Sequence, residues 1–153
     1  MRAVVQRVNR AEVSVGGRAT GSIEQGLLVL LAVGPDDDEE TARTFAAKIT
    51  ALRIFRDAEE RMNLSLADVG GSVLCVSQFT LYGDVRKGRR PSFVGAAAPE
   101  LGERLYGVFC AEVERLGFPC GRGRFGAHME VELVNDGPVT IWLDSDDLRR
   151  PRR

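Results

Sequence analysis

The sequence predicts an α+β domain built on a mostly antiparallel sheet in layers, with two main helices. Three observations carry that expectation. Strand-like segments outnumber helical ones. Only residues 39–51 and 99–116 place apolar side chains at helical spacing. Both of those stretches fall between groups of strands.

Taken in order, residues 1–8 and 12–15 read as a first strand pair, and Gly16-Gly17 turns the chain into Arg18 to Ile23. Gly26 opens Leu27 to Val33, an apolar run of strand length that reads as a central strand buried on both faces. Gly34-Pro35 breaks it. Asp36 to Asp38 then offer an N-cap, and the acids that follow complement the positive end of a helix dipole. In that helix Ala42, Phe45, Ala46 and Ile49 share one face. Leu52 to Phe55 reads as a short strand, 57–63 as a polar loop and Ser72 to Thr80 as the next strand. Pro99 suits the first turn of the second helix, whose stripe is Leu101, Leu105, Val108, Phe109 and Leu116, and Gly117 ends it. The chain closes on a strand pair, 129–134 and 139–143. Asn135-Asp136-Gly137 between them reads as a hairpin turn, because Gly accepts the positive φ that such turns need. Pro138 is awkward there, since it has no N–H for the ladder and makes a cis bond cheap.

With 153 residues, 44% apolar and 28% charged, the chain is expected to be one domain over 1–148, followed by a basic tail at 149–153. No apolar run approaches membrane-spanning length and the N-terminus lacks a signal-peptide core, so a cytoplasmic protein is expected. Three cysteines without a C-x-x-C pair argue against metal and disulfide frameworks, and Cys75 reads as a core residue. His128 is the only histidine, which leaves no room for histidine-based metal sites, and no metal or cofactor is expected. The G-x-G-x-x-G string at 121–126 precedes a strand instead of opening a helix, so it does not read as a dinucleotide site. Two polar stretches remain, Ser77-Gln78-Phe79-Thr80-Leu81-Tyr82 and Asn135 to Thr140. Neither holds a strong general base.

These two stretches resemble the signature motifs of the D-aminoacyl-tRNA deacylases. Further similarity runs through Arg2 to Val8, Leu52 to Phe55, Met62-Asn63, Lys87 to Phe93 and Phe125 to Met129. The resemblance implies a deacylase-type fold paired as a symmetric homodimer, with tRNA as partner. It implies a cis Gly137-Pro138 peptide reaching into a pocket that Ser77, Gln78, Phe79 and Thr80 form in the other subunit, with Phe125 and Met129 lining it. The implied reaction is hydrolysis of the aminoacyl ester, with oxyanion stabilisation by backbone N–H groups near Phe79 and Thr80. Thr80 could act as the nucleophile, yet nothing nearby in the sequence would activate it; the favoured alternative has the vicinal 2′-OH of the tRNA assist while Thr80 positions substrate. L-aminoacyl groups, but not glycyl, are excluded by a clash at Gly137. Arg86, Lys87, Arg89 and Arg90 are candidates for phosphate contacts. His128 stands where the family usually has Asp, and Glu60-Arg61 where it usually has Gly-Lys. Two alternatives stand beside this reading: a sister deacylase clearing L-alanyl groups, and a nucleic-acid-binding module without turnover.

Overall fold

One strand, β1 (Arg2–Val15), replaces the two short strands expected at the N-terminus in the computed structural model, which describes residues 1–152. Arg153, the last residue of the basic tail, lies outside the described residues. Along one edge β1 pairs first with β3 (Gly26–Ala32) and then with β2 (Arg18–Ile23). Along the other it pairs with β8 (Glu130–Asp144), and all three pairings are antiparallel. β3 continues the sheet through parallel pairing to β6 (Ser72–Ser77), and β6 pairs in parallel with β7 (Cys120–Arg122). The sheet curls until β2 approaches β7. Gly21 allows this, because a Cβ there would sit 2.8 Å from the Arg122 backbone N and O. A separate two-stranded piece joins β4 (Phe55–Arg56) to β5 (Met62–Leu64). The strand expected at 52–55 is therefore shorter and later, and part of the expected polar loop is its partner.

β3 is buried on both faces, as its continuous apolar run predicts. Its odd-numbered side chains Leu27, Val29 and Leu31 meet Ala3, Val5, Val73 and Cys75 under the two main helices. Its even-numbered Leu28 joins Val8, Ala11, Val13, Ile23, Leu74 and Val76 in a second cluster on the opposite face. The helices are α1 (Glu39–Thr50) and α2 (Pro99–Arg115). Asp38 caps α1 by accepting from Thr41 N at 2.8 Å. On α2 the fully buried side chains are Leu105, Phe109, Cys110 and Val113, so its core face is rotated from the expected stripe, whose Leu101 and Val108 are half-buried. A one-turn helix, α3 (Ser145–Leu148), follows β8. No described helix is long and apolar enough to cross a membrane.

The largest departure lies at the C-terminus. The expected hairpin of two strands is one strand, β8, whose halves both pair with β1. Val134 faces Arg10 and Asn135 faces Val8, but the next pair is Thr140 with Gln6. Residues 136–139 thus bulge out opposite Arg7 alone. The chain does not reverse there because β1, and not the other half of β8, supplies the ladder partners on both sides.

Candidate active site

β6 is apolar and buried from Val73 to Val76 and then leaves the core. Gln78 N donates to Leu31 O at 2.7 Å, and Phe79–Tyr82 wind into a single 3-10 turn, where the sequence predicts continued strand. Within it Leu81 N donates to Gln78 O at 3.2 Å, and Gly83 N to Thr80 O at 2.9 Å. In i→i+3 bonding the leading N–H groups, those of Phe79 and Thr80, have no acceptor inside the turn. Both residues are exposed. The Gln78 side-chain amide donates to the Thr80 hydroxyl, the only side-chain partner of that hydroxyl among the described residues.

Beside this turn lies a cleft of about 360 Å³. Ser77 and Phe79 form one wall, Phe93 continues it, and Tyr106 and Phe125 form another. Phe79 and Phe93 meet edge to face, with ring centroids 5.2 Å apart and planes at 74°. Phe125 fits because Gly102 of α2 has no side chain: a Cβ would approach the Phe125 ring to 3.2 Å. Tyr106 donates its hydroxyl to Cys75 O at 2.6 Å, tying α2 to β6 behind the cleft. Met129 packs elsewhere, against the second core cluster. His128 is exposed.

Gly137 and Pro138 are both exposed and line no part of that cleft in their own chain. The peptide bond between them is cis, the isomer that the resemblance implies. Asn135 closes the bulge. Its side-chain amide donates to Arg7 O and to Val139 O, each at 3.0 Å, so a side chain takes over where the ladder is interrupted. Its Oδ1 accepts from the Thr140 hydroxyl at 3.2 Å. From below, the buried Arg7 guanidinium fills the space: Nη1 donates to Ile54 O at 2.7 Å, and Nε lies 2.9 Å from Asp136 Oδ2. That ion-pair contact falls outside hydrogen-bond angles and leaves Nε without a formal acceptor. Gly137 has φ +119°, in the region that disfavours side chains. A Cβ on it would sit 2.9 Å from Val139 Cγ2 and 3.1 Å from Arg7 Nη2.

The four basic candidates divide. Asp84 and Ser92 bridge the base of their loop through reciprocal backbone bonds of 2.8 and 2.9 Å. Arg86 is held by Asp84, with Nη2 to Oδ2 at 2.6 Å and Nε to Oδ1 at 2.9 Å. The Arg86 side chain and backbone N–H hold the Asp84 carboxyl down at about 2. Lys87, Arg89 and Arg90 are exposed at the loop tip and form no ion pair among the described residues. Sequence reasoning placed Asn135 in the turn motif without giving its side chain a role, and missed Arg7 as a site-building residue. For Arg7 the available signal was a charged residue among strand positions that otherwise carry apolar side chains.

A family model described as D-Tyr-tRNA(Tyr) deacylase matches residues 4–144. The D-aminoacyl-tRNA deacylase of Koribacter versatilis (strain Ellin345) is 63% identical over 145 residues, covering 95% of this chain and 97% of the relative. That of Deinococcus radiodurans is 58% identical over 144 residues, covering 94% and 99%. Among solved structures, one named c-Myc DNA Unwinding Element Binding Protein superposes with a TM-score of 0.88 at 41% identity, covering 94% of this chain and 98% of that one. A probable eukaryotic D-amino acid tRNA deacylase shares the fold, with a TM-score of 0.79 at 21% identity over 93% and 97%.

Proposed function

The chain belongs to the D-Tyr-tRNA(Tyr) deacylase family, and from that premise we infer that it hydrolyses the ester of D-aminoacyl-tRNA, releasing the D-amino acid and free tRNA. Beyond family membership, one observation carries the reading: an aromatic cleft adjoins a turn whose exposed leading residues, Phe79 and Thr80, have backbone N–H groups without an acceptor inside the turn, and no general base meets the Thr80 hydroxyl among the described residues. The ester of an α-ammonium acid needs little acid–base help. Orientation plus N–H donors for the developing oxyanion are enough, and such donors act strongly where water is excluded.

The roles follow from that chemistry. The cleft walled by Phe79, Phe93 and Phe125 holds the 3′-terminal adenosine, and the Phe79 and Thr80 N–H groups face the reacting carbonyl. Ser77 and Gln78 shape the rim. Thr80 positions substrate, since its hydroxyl accepts from the Gln78 amide and meets no base among the described residues. The vicinal 2′-OH of the tRNA assists attack. Gly137 and Pro138 act in the cleft of a second copy in a symmetric homodimer. Support for this lies in their exposure, their absence from their own cleft's lining and the side-chain scaffold under them. There the Gly137 carbonyl holds the α-ammonium and leaves no volume for an L side chain, so glycyl-tRNA is cleaved as well. Lys87, Arg89 and Arg90 contact acceptor-stem phosphates, while Arg86 holds their loop in shape. A tRNA substrate sets the work of the enzyme in the cytoplasm.

The test is ester loss from D-tyrosyl-, L-tyrosyl-, glycyl- and L-alanyl-tRNA. Hydrolysis of the D-tyrosyl and glycyl esters with the L-tyrosyl ester intact is expected. L-alanyl cleavage without D-selectivity would favour the sister activity. Tight tRNA binding without turnover would favour the binding-module reading, a class of function that the 41%-identical solved relative carries in its name.

A further inference from the structure

The 3-10 turn that carries Phe79 and Thr80 has little of its own to hold it in place. It is four residues long, and its first two are exposed. Its leading end is fixed by the bond from Gln78 N to Leu31 O. Its trailing end is fixed by Arg2, a residue outside both motifs and absent from the cleft lining.

Arg2 stands near the start of β1, paired with Ala32 on one side and Asp144 on the other. Its guanidinium is engaged on its edges and at its faces. Nε donates to Asp144 Oδ2 at 3.1 Å, and Nη1 donates to Leu81 O at 3.0 Å. Its central carbon lies 4.3 Å from the Tyr82 ring centroid and 5.7 Å from that of Trp142. The Tyr82 hydroxyl is seated in turn over Gly34, where a Cβ would come within 2.6 Å of it. The side chain is one-third exposed, and a salt bridge to Asp144 alone, at such a site, contributes little to stability. What distinguishes Arg2 is its reach into the last two residues of the turn whose first two N–H groups face the reacting carbonyl. A planar fork suits that geometry, whereas an ammonium cannot serve carboxylate and carbonyl in the same way.

We propose that Arg2 is a positioning residue for ester hydrolysis: through Leu81 and Tyr82 it sets the orientation of the Phe79 and Thr80 N–H groups. The inference rests on the oxyanion role assigned above to those two groups. Arg2 touches neither substrate nor cleft, so its loss lowers the chemical step and leaves binding intact. Small misplacements of a catalytic group have large rate effects, and a loss of about 10- to 100-fold in kcat is the size expected.

The experiment compares wild type, Arg2→Met and Arg2→Lys in steady-state hydrolysis of D-tyrosyl-tRNA. It also measures the affinity of each for a non-hydrolysable 3′-amide analogue of D-tyrosyl-adenosine, and the thermal midpoint of each. Arg2→Met is expected to lose kcat while KM and analogue affinity stay within about 2-fold. Arg2→Lys is expected to recover part of kcat, at a thermal midpoint close to that of Arg2→Met. An unchanged kcat in Arg2→Met, in an active wild-type background, overturns the inference and leaves the functional reading standing. So does a kcat loss that tracks the loss of analogue affinity and of folding in both variants, because that is general destabilisation. A wild-type protein that binds the analogue but hydrolyses no D-aminoacyl ester removes the functional reading, and the inference with it.

Discussion

At residue scale, Gly137 and Asp136 are where chemistry and stability meet. Gly137 combines φ +119° with contacts that leave no room for a Cβ. Gly137→Ala is therefore expected to cost about 1–3 kcal/mol, read as a lowered urea midpoint at unchanged m-value. Asp136→Ala strands the buried Arg7 charge. Asp136 itself is partly solvated, which moderates the pair, and a loss of about 1–3 kcal/mol is expected at pH 7. Thr80→Ala is expected to keep substantial activity, within about 10-fold of wild type, in single-turnover hydrolysis of D-tyrosyl-tRNA. A loss as deep as that from blocking the cleft with Gly102→Trp would instead make Thr80 the nucleophile. Much at this scale was legible in the sequence. Ser77, Phe79 and Phe125, which the resemblance groups, line one cleft while Met129, grouped with them, does not, and the polar end of an apolar strand marked where Ser77 and Gln78 leave the core. Arg7 was not legible, because the periodicity that marks an inward position says nothing about which carboxylate and carbonyl will meet a charge there.

At the scale of elements, strands buried on both faces and capped helices could be read from local pattern. Gly26–Ala32 and the Asp38-capped α1 fall where expected. What local pattern could not supply was the partner. A turn signal followed by alternation describes a hairpin and an interrupted strand equally well, and only the pairing of both halves of β8 with β1 separates them. The same holds for Ser72 to Thr80: an apolar run leading into polar residues reads as one strand, whereas the chain turns into a 3-10 helix just after the Gln78 N–H bonds to Leu31 of β3. The loop after that turn carries a pH prediction. The Asp84 carboxyl is held down at about 2 by the side-chain bond from Arg86, against an ordinary value near 3.8. A depressed carboxyl adds stability that is complete above the ordinary value and is lost as pH falls through the lowered one. The loop is thus expected to stay pinned down to about pH 3.8 and to loosen towards about pH 2. Carbon-detected NMR titration of Asp84 checks this, and Arg86→Gln should return its midpoint towards 3.8.

At the scale of the molecule, the proposed site needs two chains, each contributing one motif. Two variants that have each lost D-tyrosyl-tRNA hydrolysis, one altered at Gly137 and one with its cleft blocked at Gly102, are expected to regain activity when co-folded. Random pairing makes half the dimers mixed, each with one intact site, so about a quarter of wild-type activity should return. No recovery in mixtures shown by mass spectrometry to contain mixed dimers would place both motifs of a working site in one chain.

The bulge in β8 also has a counting consequence. Pairs from Arg2 with Asp144 to Gln6 with Thr140 differ by two residues in register from those running Arg10 with Val134 to Ser14 with Glu130. Odd-numbered Val131 and Leu133 before the bulge pack on the second cluster, and odd-numbered Val139, Ile141 and Leu143 after it pack on the first, so this segment sets which face each half of β8 presents. Parity therefore constrains the length of this segment. Loss or gain of a single residue between 135 and 139 would rotate one half of the strand by a full face, setting Trp142 and Thr140 where Ile141 and Leu143 belong. Changes in steps of two would preserve every inward side chain while altering how far the tip projects, which makes loop length, as much as loop sequence, a property the fold allows to vary only in discrete steps.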